Sequence, residues 1–227
     1  MTNPILAALD VPTIDEAVTL RTLLDGTVGG IKLGLEFFLA NGPAGVEKVV
    51  ADRTGEFFLD LKLHDIPNTV AAAVASVASL SPDYLTVHAT GGRSMLEAAN
   101  QRKGTIKTLG VTILTSLDDD QLSEVGLPNA SSAVPALAVL ARESGCDGVI
   151  CAPTDIAAVR AVCPVPFLIV TPGVRPEGVD TDDQARTMTP VEAMAAGADR
   201  LVIGRPITSV ADPRGAAEAI ARDLEAR

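Results

Sequence analysis

An aspartate and a lysine two positions apart are the first residues in this sequence that could carry out chemistry. Asp60 and Lys62 lie in the apolar run Phe57–Leu63, and alternate positions of an extended strand point to the same face. An acid and an amine that leave water together are costly to bury unless they pair with each other. Taken alone, the pair could be a structural ion pair that closes the interior of a barrel.

Two further charges in neighbouring apolar runs favour chemistry over structure. Asp10 ends the first run of the sequence, and Lys32 lies within the second. A structural ion pair does not need four charges, whereas alternating acids and amines are expected where charge develops during a reaction. The sequence therefore predicts that Asp10, Lys32, Asp60 and Lys62 form part of one active site.

The aspartate that follows this pair has two possible roles. Asp65 lies three residues after Lys62, and Pro67 is typical of the first position of the next helix. Asp65 could cap that helix, which is a common role for aspartate. Alternatively, it projects outward and enters the active site of a second subunit.

The last two strands indicate a phosphate site. The seventh apolar run leads into Thr-Pro-Gly-Val-Arg175, and the eighth leads into Gly204-Arg205. Barrels frequently bind phosphate between the loops that follow these two strands, where glycine admits backbone N–H groups and arginine binds phosphate oxygens. The polar stretch Pro176–Thr189 suits a lid, and Gln184 within it could donate an amide to the phosphate.

Short apolar runs alternate with longer amphipathic stretches along the whole chain. The predicted strands are Ile5–Asp10, Gly30–Gly34, Phe57–Leu63, Tyr84–His88, Lys107–Ile113, Gly148–Cys151, Phe167–Thr171 and Arg200–Ile203. The predicted helices are Thr13–Leu24, Leu35–Ala51, Pro67–Leu80, Arg93–Asn100, Ala133–Glu143, Thr154–Val162, Pro190–Ala196 and Ala211–Ala226. The acidic run Asp118–Asp120 is typical of a solvated helix start.

Continuously apolar strands are typical of a parallel sheet covered by helices. Eight strand–helix units in a chain of 227 residues predict a single (β/α)8 barrel domain, of the TIM-barrel class, over residues 1–227. An open doubly wound sheet is the alternative. The sequence has neither the glycine-rich dinucleotide motif nor the P-loop motif that would favour it.

Composition excludes several classes of protein. With 18 Lys and Arg against 29 Asp and Glu the net charge is −11, which argues against nucleic acid and anionic membranes as partners. Three cysteines and two histidines at no metal-site spacing indicate neither a disulfide framework nor a zinc site, so we expect a reducing cytoplasm. The start of the sequence shows no signal peptide, and no apolar stretch is long enough for a membrane helix.

The stretch Asp60-Leu-Lys62-Leu-His-Asp65-Ile-Pro-Asn-Thr69 closely resembles the signature of the orotidine 5′-monophosphate decarboxylase family, Asp-x-Lys-x-x-Asp followed by Ile-Pro-Asn-Thr. The opening Ala-Leu-Asp10, Lys32-x-Gly34, Thr-Pro-Gly-x-Arg175 and Ile-Gly-Arg205 occur in family order. The resemblance implies cofactor-free and metal-free decarboxylation of orotidine 5′-monophosphate to uridine 5′-monophosphate, by a homodimer whose active sites lie at the interface.

The resemblance also implies a role for each matching position. Lys62 would protonate C6 as CO2 leaves, Asp60 would lie beside the substrate carboxylate, and Lys32 would link Asp60 to the ribose. The remaining residues would bind substrate: Asp10 and the partner's Asp65 and Thr69 at the ribose, Thr115 and Pro172 at the pyrimidine, and Arg175, Gln184, Gly204 and Arg205 at the phosphate and the lid.

Two alternatives to this activity remain. Metal-dependent sugar-phosphate enzymes of the same wider group, such as 3-keto-gulonate-phosphate decarboxylase and hexulose-phosphate synthase, share Asp-x-Lys-x-x-Asp. They carry an acidic metal ligand where this chain has Lys32, whose charge would repel Mg²⁺. A catalytically silent phosphosugar-binding barrel should have lost Asp60, Lys62 or Asp65, and this chain keeps all three.

Overall fold

Eight parallel strands, each hydrogen-bonded to the next and the last to the first, form a closed barrel. The computed structural model describes residues 3–176 and 187–226. The strands are β1 Ile5–Ala8, β2 Gly30–Gly34, β3 Glu56–Leu63, β4 Tyr84–His88, β5 Lys107–Val111, β6 Gly148–Ile150, β7 Leu168–Thr171 and β8 Arg200–Ile203. The helices are α1 Ile14–Leu24, α2 Leu35–Val50, α3 Pro67–Val77, α4 Gly92–Asn100, α5 Asp119–Glu124, α6 Ala130–Glu143, α7 Ile156–Val162, α8 Pro190–Ala196, α9 Arg205–Thr208 and α10 Pro213–Glu225.

The predicted (β/α)8 class is confirmed, and the open-sheet alternative is wrong because β1 pairs with β8, with Ile5 beside Leu201. All eight predicted strands exist, although β1, β5, β6 and β7 are shorter than predicted. β1 ends at Ala8, so Asp10 lies just beyond the strand, and β5 ends at Val111. Among the described residues, no helix has the length and apolar character needed to cross a membrane.

Local capping chemistry explains where several helices begin. The side chain of Thr13 accepts the N–H of Glu16 at the start of α1, and Pro67 occupies the first turn of α3. The predicted acidic helix start is confirmed, since Asp118 caps α5 through a capping box with Gln121. α6 begins three residues before its predicted start because Asn129 caps it.

Apolar side chains pack in two layers on either side of the strands. The larger layer lies between the strands and the surrounding helices, and includes Leu59 and Leu61 of β3. The smaller layer fills the barrel interior and includes Leu6, Phe58 and Val170. Because side chains alternate between these layers, Asp60 and Lys62 share the inward face of β3 with Phe58.

Three aspartates tie together the amino-terminal end of the barrel. Asp83, Asp147 and Asp199 precede β4, β6 and β8, and each carboxylate accepts the backbone N–H of a residue at the start of the preceding strand. The donors are the backbone nitrogens of Phe57, Thr108 and Ile169, at 2.7 to 2.8 Å. Backbone donors that begin these strands therefore have fixed acceptors, which holds neighbouring strands in register.

An ion pair inside the barrel closes the same end. The guanidinium of Arg200 donates to both carboxylate oxygens of Glu56, at 2.7 and 2.8 Å, and the hydroxyl of Tyr84 donates to the same carboxylate. Burial alone would raise the pKa of Glu56, but the hydrogen bonds from Arg200 and Tyr84 hold the pKa below its ordinary value. This structural ion pair was not predicted from the sequence, and it lies at the end of the barrel opposite Asp60 and Lys62.

Arg200→Met should lower the free energy of unfolding by about 3 kcal/mol, because it leaves Glu56 partly buried without its cation. Chemical denaturation at neutral pH measures this loss. The difference from the unsubstituted protein should shrink at acidic pH, since a carboxylate with a lowered pKa contributes stability only while it is ionised.

Arg214→Met is the matched control, because Arg214 makes an exposed pair with Glu218 four residues along α10. We expect it to cost less than about 0.5 kcal/mol. Equal losses in the two variants would contradict a structural role for the internal pair.

Candidate active site

A cavity of about 300 Å³ opens at the carboxyl ends of the strands. This is the end at which (β/α)8-barrel enzymes build their active sites. Nine of the residues predicted from the sequence line it: Asp10, Lys32, Asp60, Lys62, Thr115, Pro172, Arg175, Gly204 and Arg205. The structure thus brings together residues from both ends of the chain, as the barrel prediction required.

Acidic and basic groups alternate along one wall of the cavity. The ammonium of Lys32 lies 2.8 Å from a carboxylate oxygen of Asp10 and 3.8 Å from Asp60. The ammonium of Lys62 lies 2.7 Å from the same Asp60 oxygen, Oδ2. One carboxylate is therefore shared by two cations that come from adjacent strands, β2 and β3.

Burial differs along this row of charges. The side chains of Lys32 and Asp60 are 10% and 12% exposed, whereas that of Lys62 is 36% exposed and that of Asp10 is 59% exposed. Burial alone would raise the pKa of Asp60, but the charges of Lys32 and Lys62 hold its pKa below the ordinary value. Asp60 therefore stays ionised at neutral pH although it is buried.

The backbone is distorted where it presents Lys62. Lys62 has a φ of +48°, a left-handed conformation that is uncommon for residues other than glycine. The pairing of β3 with β4 also shifts here: Leu59 pairs with Leu85, but Leu63 pairs with Val87. Such irregularities next to active sites re-aim a side chain, and here the ammonium points into the cavity beside Asp60.

Sequence reasoning missed a threonine that contacts both members of the central pair. The hydroxyl of Thr86 in β4 donates to Oδ1 of Asp60 and accepts the backbone N–H of Lys62, both at 2.8 Å. A polar residue at an inward position of the run Tyr-Leu-Thr86-Val-His was the available signal. Phe58, Thr208 and Ser209 also line the cavity and were not predicted.

The two histidines lie together at the rim. The rings of His64 and His88 stack with their centroids 5.1 Å apart. Burial lowers the pKa of His88 to about 4, with further contributions from His64 and Lys62. His88 is therefore neutral at neutral pH and adds no charge beside Lys62.

The other wall of the cavity carries arginines after the last two strands. Arg175 follows β7 and is buried, and its backbone N–H donates to the carbonyl of Met188 at 2.9 Å. Arg205 begins α9, and one residue, Gly204, separates it from the end of β8. The described residues that line the cavity include four cationic side chains against two carboxylates, so this acidic protein has a cationic cavity suited to an anionic ligand.

Three predicted site residues are not among the described residues that line the cavity. Asp65 and Thr69 are exposed near the start of α3 and do not line it. Ile66, not Asp65, is the N-cap of α3, and no side chain caps that helix, so the helix-cap alternative for Asp65 is wrong. The carboxylate of Asp65 instead accepts the adjacent N–H of Ile66. Gln184 lies outside the described residues, as does most of the predicted lid.

Within residues 3–176 and 187–226, no three His, Cys, Asp or Glu side chains are grouped so that they could hold a metal ion. The ammonium of Lys32 lies between the two carboxylates of the cavity, Asp10 and Asp60.

The closed parallel barrel and the charged cavity at the carboxyl ends of its strands define the class of (β/α)8-barrel enzymes. The family model described as Orotidine 5'-phosphate decarboxylase / HUMPS family matches residues 3–220, and the chain belongs to this family.

Relatives and solved structures agree with this assignment. The chain is 48% identical to orotidine 5'-phosphate decarboxylase of Rhodospirillum rubrum, over 98% of this chain and 94% of that protein. It is 49% identical to the protein of the same name from Thermobifida fusca, over 99% and 97% of the two chains. The crystal structure of orotidine 5'-phosphate decarboxylase from Lactobacillus acidophilus is similar, with a TM-score of 0.86, 35% identity, and 98% and 99% of the two chains covered.

Lys62→Met should raise the pKa of Asp60, because it removes one of the two cations that favour the ionised carboxylate. Carboxyl ¹³C NMR of the protein labelled at aspartate would follow this titration. Lys32→Met should act in the same direction. Lys48→Met, at an exposed site in the last turn of α2, is the control and should leave the titration of Asp60 unchanged. An unchanged pKa in both cavity variants would contradict the coupling described above.

Proposed function

We propose that this chain decarboxylates orotidine 5′-monophosphate to uridine 5′-monophosphate and CO2, the last step of de novo pyrimidine synthesis. Membership of the family and the names of the relatives support this activity. The single observation that carries the proposal is the row Asp10–Lys32–Asp60–Lys62 inside the cationic cavity, with the Lys62 ammonium 2.7 Å from the buried Asp60.

Lys62 is the proposed acid of the reaction. When the bond between C6 and the carboxyl carbon breaks, its electron pair stays on C6 and CO2 departs. An ammonium fixed beside C6 stabilises that developing negative charge and then transfers a proton to it. The neighbouring carboxylate of Asp60 lies 2.7 Å from this ammonium and pairs with it.

Asp60, Lys32 and Asp10 organise the remainder of this wall. Asp60 is proposed to face the substrate carboxylate, where its negative charge favours departure of CO2. Lys32 lies between Asp60 and Asp10, so it pairs with both, and it is proposed to donate to the ribose hydroxyls. The more exposed Asp10 is left to accept hydrogen bonds from the ribose.

The opposite wall is proposed to hold the phosphate. Arg175 and Arg205 supply cationic donors, and Gly204 lies between β8 and Arg205, where the backbone can approach a ligand closely. Thr115 and Pro172 are proposed to contact the pyrimidine. The phosphate lies far from C6, and the energy of its binding can lower the barrier of the chemical step. Gln184 and the surrounding lid are proposed to take part in this binding.

The alternative of a metal-dependent sugar-phosphate enzyme receives no support from the charges of the cavity. A Mg²⁺ ion needs oxygen ligands. Here the carboxylates of Asp10 and Asp60 are bridged by the ammonium of Lys32. We therefore propose that the reaction uses neither a metal nor an organic cofactor.

We also propose that the enzyme is a homodimer with shared active sites. Asp65 and Thr69 are exposed beside the mouth of the barrel, although the resemblance gives both a role at the ribose. Leu39 and Ile66, which lie near the starts of the neighbouring helices α2 and α3, are 74% and 67% exposed. Large exposed apolar side chains at this rim suit an interface through which Asp65 enters the partner's cavity.

Two further proposals concern the domain organisation and the cellular location. The whole chain, residues 1–227, is proposed to be one barrel domain. We also propose that the enzyme works in a reducing cytoplasm, since its three cysteines, Cys146, Cys151 and Cys163, are an odd number at no spacing that indicates a disulfide framework.

Lys62→Ala should lower kcat by at least about 10³-fold, since it removes both the proton donor and the fixed positive charge. The loss of orotidylate absorbance would be followed with chelator-treated protein, whose unsubstituted form should keep full activity. Circular dichroism would check that the variant is folded. A near-normal kcat would contradict the acid role of Lys62, and a strict requirement for Mg²⁺ would favour the metal-dependent alternative.

Mixing Lys62→Ala with Asp65→Ala protein should restore activity when subunits exchange, because one site of each mixed dimer then has both residues intact. At equal concentrations, recovery should approach about a quarter of the unsubstituted activity, since half the dimers are mixed and one of their two sites is complete. The matched control mixes Lys62→Ala with Asp60→Ala, whose residues share one protomer, and should recover nothing. Absence of recovery in the first mixture, with exchange confirmed by mass spectrometry, would contradict a shared site.

A further inference from the structure

One buried hydroxyl connects the two reactive side chains of β3 to β4. Thr86 has no exposed surface, and its hydroxyl makes two hydrogen bonds of 2.8 Å. It donates its single proton to Oδ1 of Asp60 and accepts the backbone N–H of Lys62. A hydroxyl has one proton to donate, so these two bonds fix its orientation.

The interrupted ladder explains why Lys62 needs this acceptor. Between the pairs Leu59–Leu85 and Leu63–Val87, β3 advances by four residues while β4 advances by two. Lys62 lies in this interval with φ of +48°, and its N–H bonds to the side chain of β4 in place of a backbone carbonyl. A buried N–H without an acceptor would cost roughly 1–3 kcal/mol, so the hydroxyl stabilises the distorted backbone.

The same hydroxyl determines which oxygen of Asp60 faces the cations. Because Oδ1 accepts from Thr86, Oδ2 is the oxygen that lies 2.7 Å from Lys62 and 3.8 Å from Lys32. Rotation of the carboxylate away from this position would break the bond to Thr86. The hydroxyl therefore holds both the carboxylate and the backbone that carries the ammonium.

We propose that Thr86 is a positioning residue for the proposed decarboxylation: its hydroxyl sets the Asp60 carboxylate and the Lys62 backbone in the relative position that the reaction uses. This inference rests on the proposed function. Thr86 acts through Asp60 and Lys62, and it is set back from the cavity, whose lining does not include it.

The other buried threonines of the barrel do not share this arrangement. The hydroxyls of Thr112 and Thr171 donate to backbone carbonyls of neighbouring segments. Thr108 lies at the opposite end of the barrel, where its hydroxyl donates to Asn100. Thr108 is as buried as Thr86, which makes it a matched control for the loss of a buried hydroxyl.

The test compares Thr86→Val, which keeps the shape and removes the hydroxyl, with Thr86→Ser, which keeps the hydroxyl. Thr86→Val should lower kcat about 10- to 100-fold with KM within about twofold, because misplaced reacting groups slow chemistry more than they weaken binding. Thr86→Ser should restore kcat to within about threefold of the unsubstituted enzyme. Thr108→Val should leave kcat unchanged even if it lowers the melting temperature.

The pH profile supplies a readout that a merely structural role would not move. Asp60 faces Lys32 from β2, Lys62 from its own strand and His88 from β4, with Asp10 beyond Lys32. Thr86 bonds to the ionised form of Asp60, so its removal disfavours ionisation. The acidic limb of kcat/KM should therefore move to higher pH in Thr86→Val and stay in place in Thr108→Val.

Failure of this inference can be distinguished from failure of the proposed function. An unsubstituted enzyme that does not turn over orotidine 5′-monophosphate would overturn the function, and with it the premise of the inference. An active enzyme whose Thr86→Val variant keeps both its kcat and its acidic limb would overturn the inference alone, as would a kcat loss that Thr86→Ser does not restore. If Thr86→Val does not fold, Thr86→Ala takes its place, with the same expected results.

Discussion

The site depends on a carboxylate that is buried between two ammonium groups. Asp60 would be costly to bury alone, and Lys32 and Lys62 would be costly to bring together without it. Each charge is therefore stabilised by the others, and the row holds only if β2 and β3 lie side by side at this depth of the barrel. The closed barrel supplies that arrangement, because its strand register places Lys32 beside Phe58, two residues before Asp60.

Opposite ends of the barrel use charge differently. At the amino-terminal end, Glu56 is bonded by Arg200 and Tyr84, so its hydrogen-bonding capacity is directed to protein groups. At the carboxyl end, Asp10 and Lys62 keep exposed surface that faces the cavity. The first arrangement is suited to stability, and the second leaves polar atoms available to a ligand.

Much of the fold could be predicted from the sequence because strand and helix patterns are local. Continuously apolar runs mark all eight strands, and the spacing of Asp60 and Lys62 places both on the inward face of β3. The predicted ends of β1 and β5 were wrong, and the short helix α9 was not predicted, since such details depend on individual caps and turns.

Long-range contacts explain what the sequence could not reveal. The role of Thr86 depends on the shift in register between β3 and β4, and no spacing within either strand indicates that shift. The helix-cap interpretation of Asp65 was wrong because the N-cap of α3 is Ile66, one residue later. Residue spacing alone does not decide which of two adjacent residues is the N-cap. The stacking of His64 on His88 likewise joins residues that are separate in the sequence.

The three aspartates before β4, β6 and β8 have a consequence for protein engineering. They secure the strand starts at the end of the barrel away from the cavity, and none of the three lines that cavity. Segments grafted between β7 and α8, or between β5 and α6, would leave these anchors untouched. The barrel should therefore serve as a scaffold on which new ligand specificities can be selected without redesigning the hydrogen bonds at its amino-terminal end.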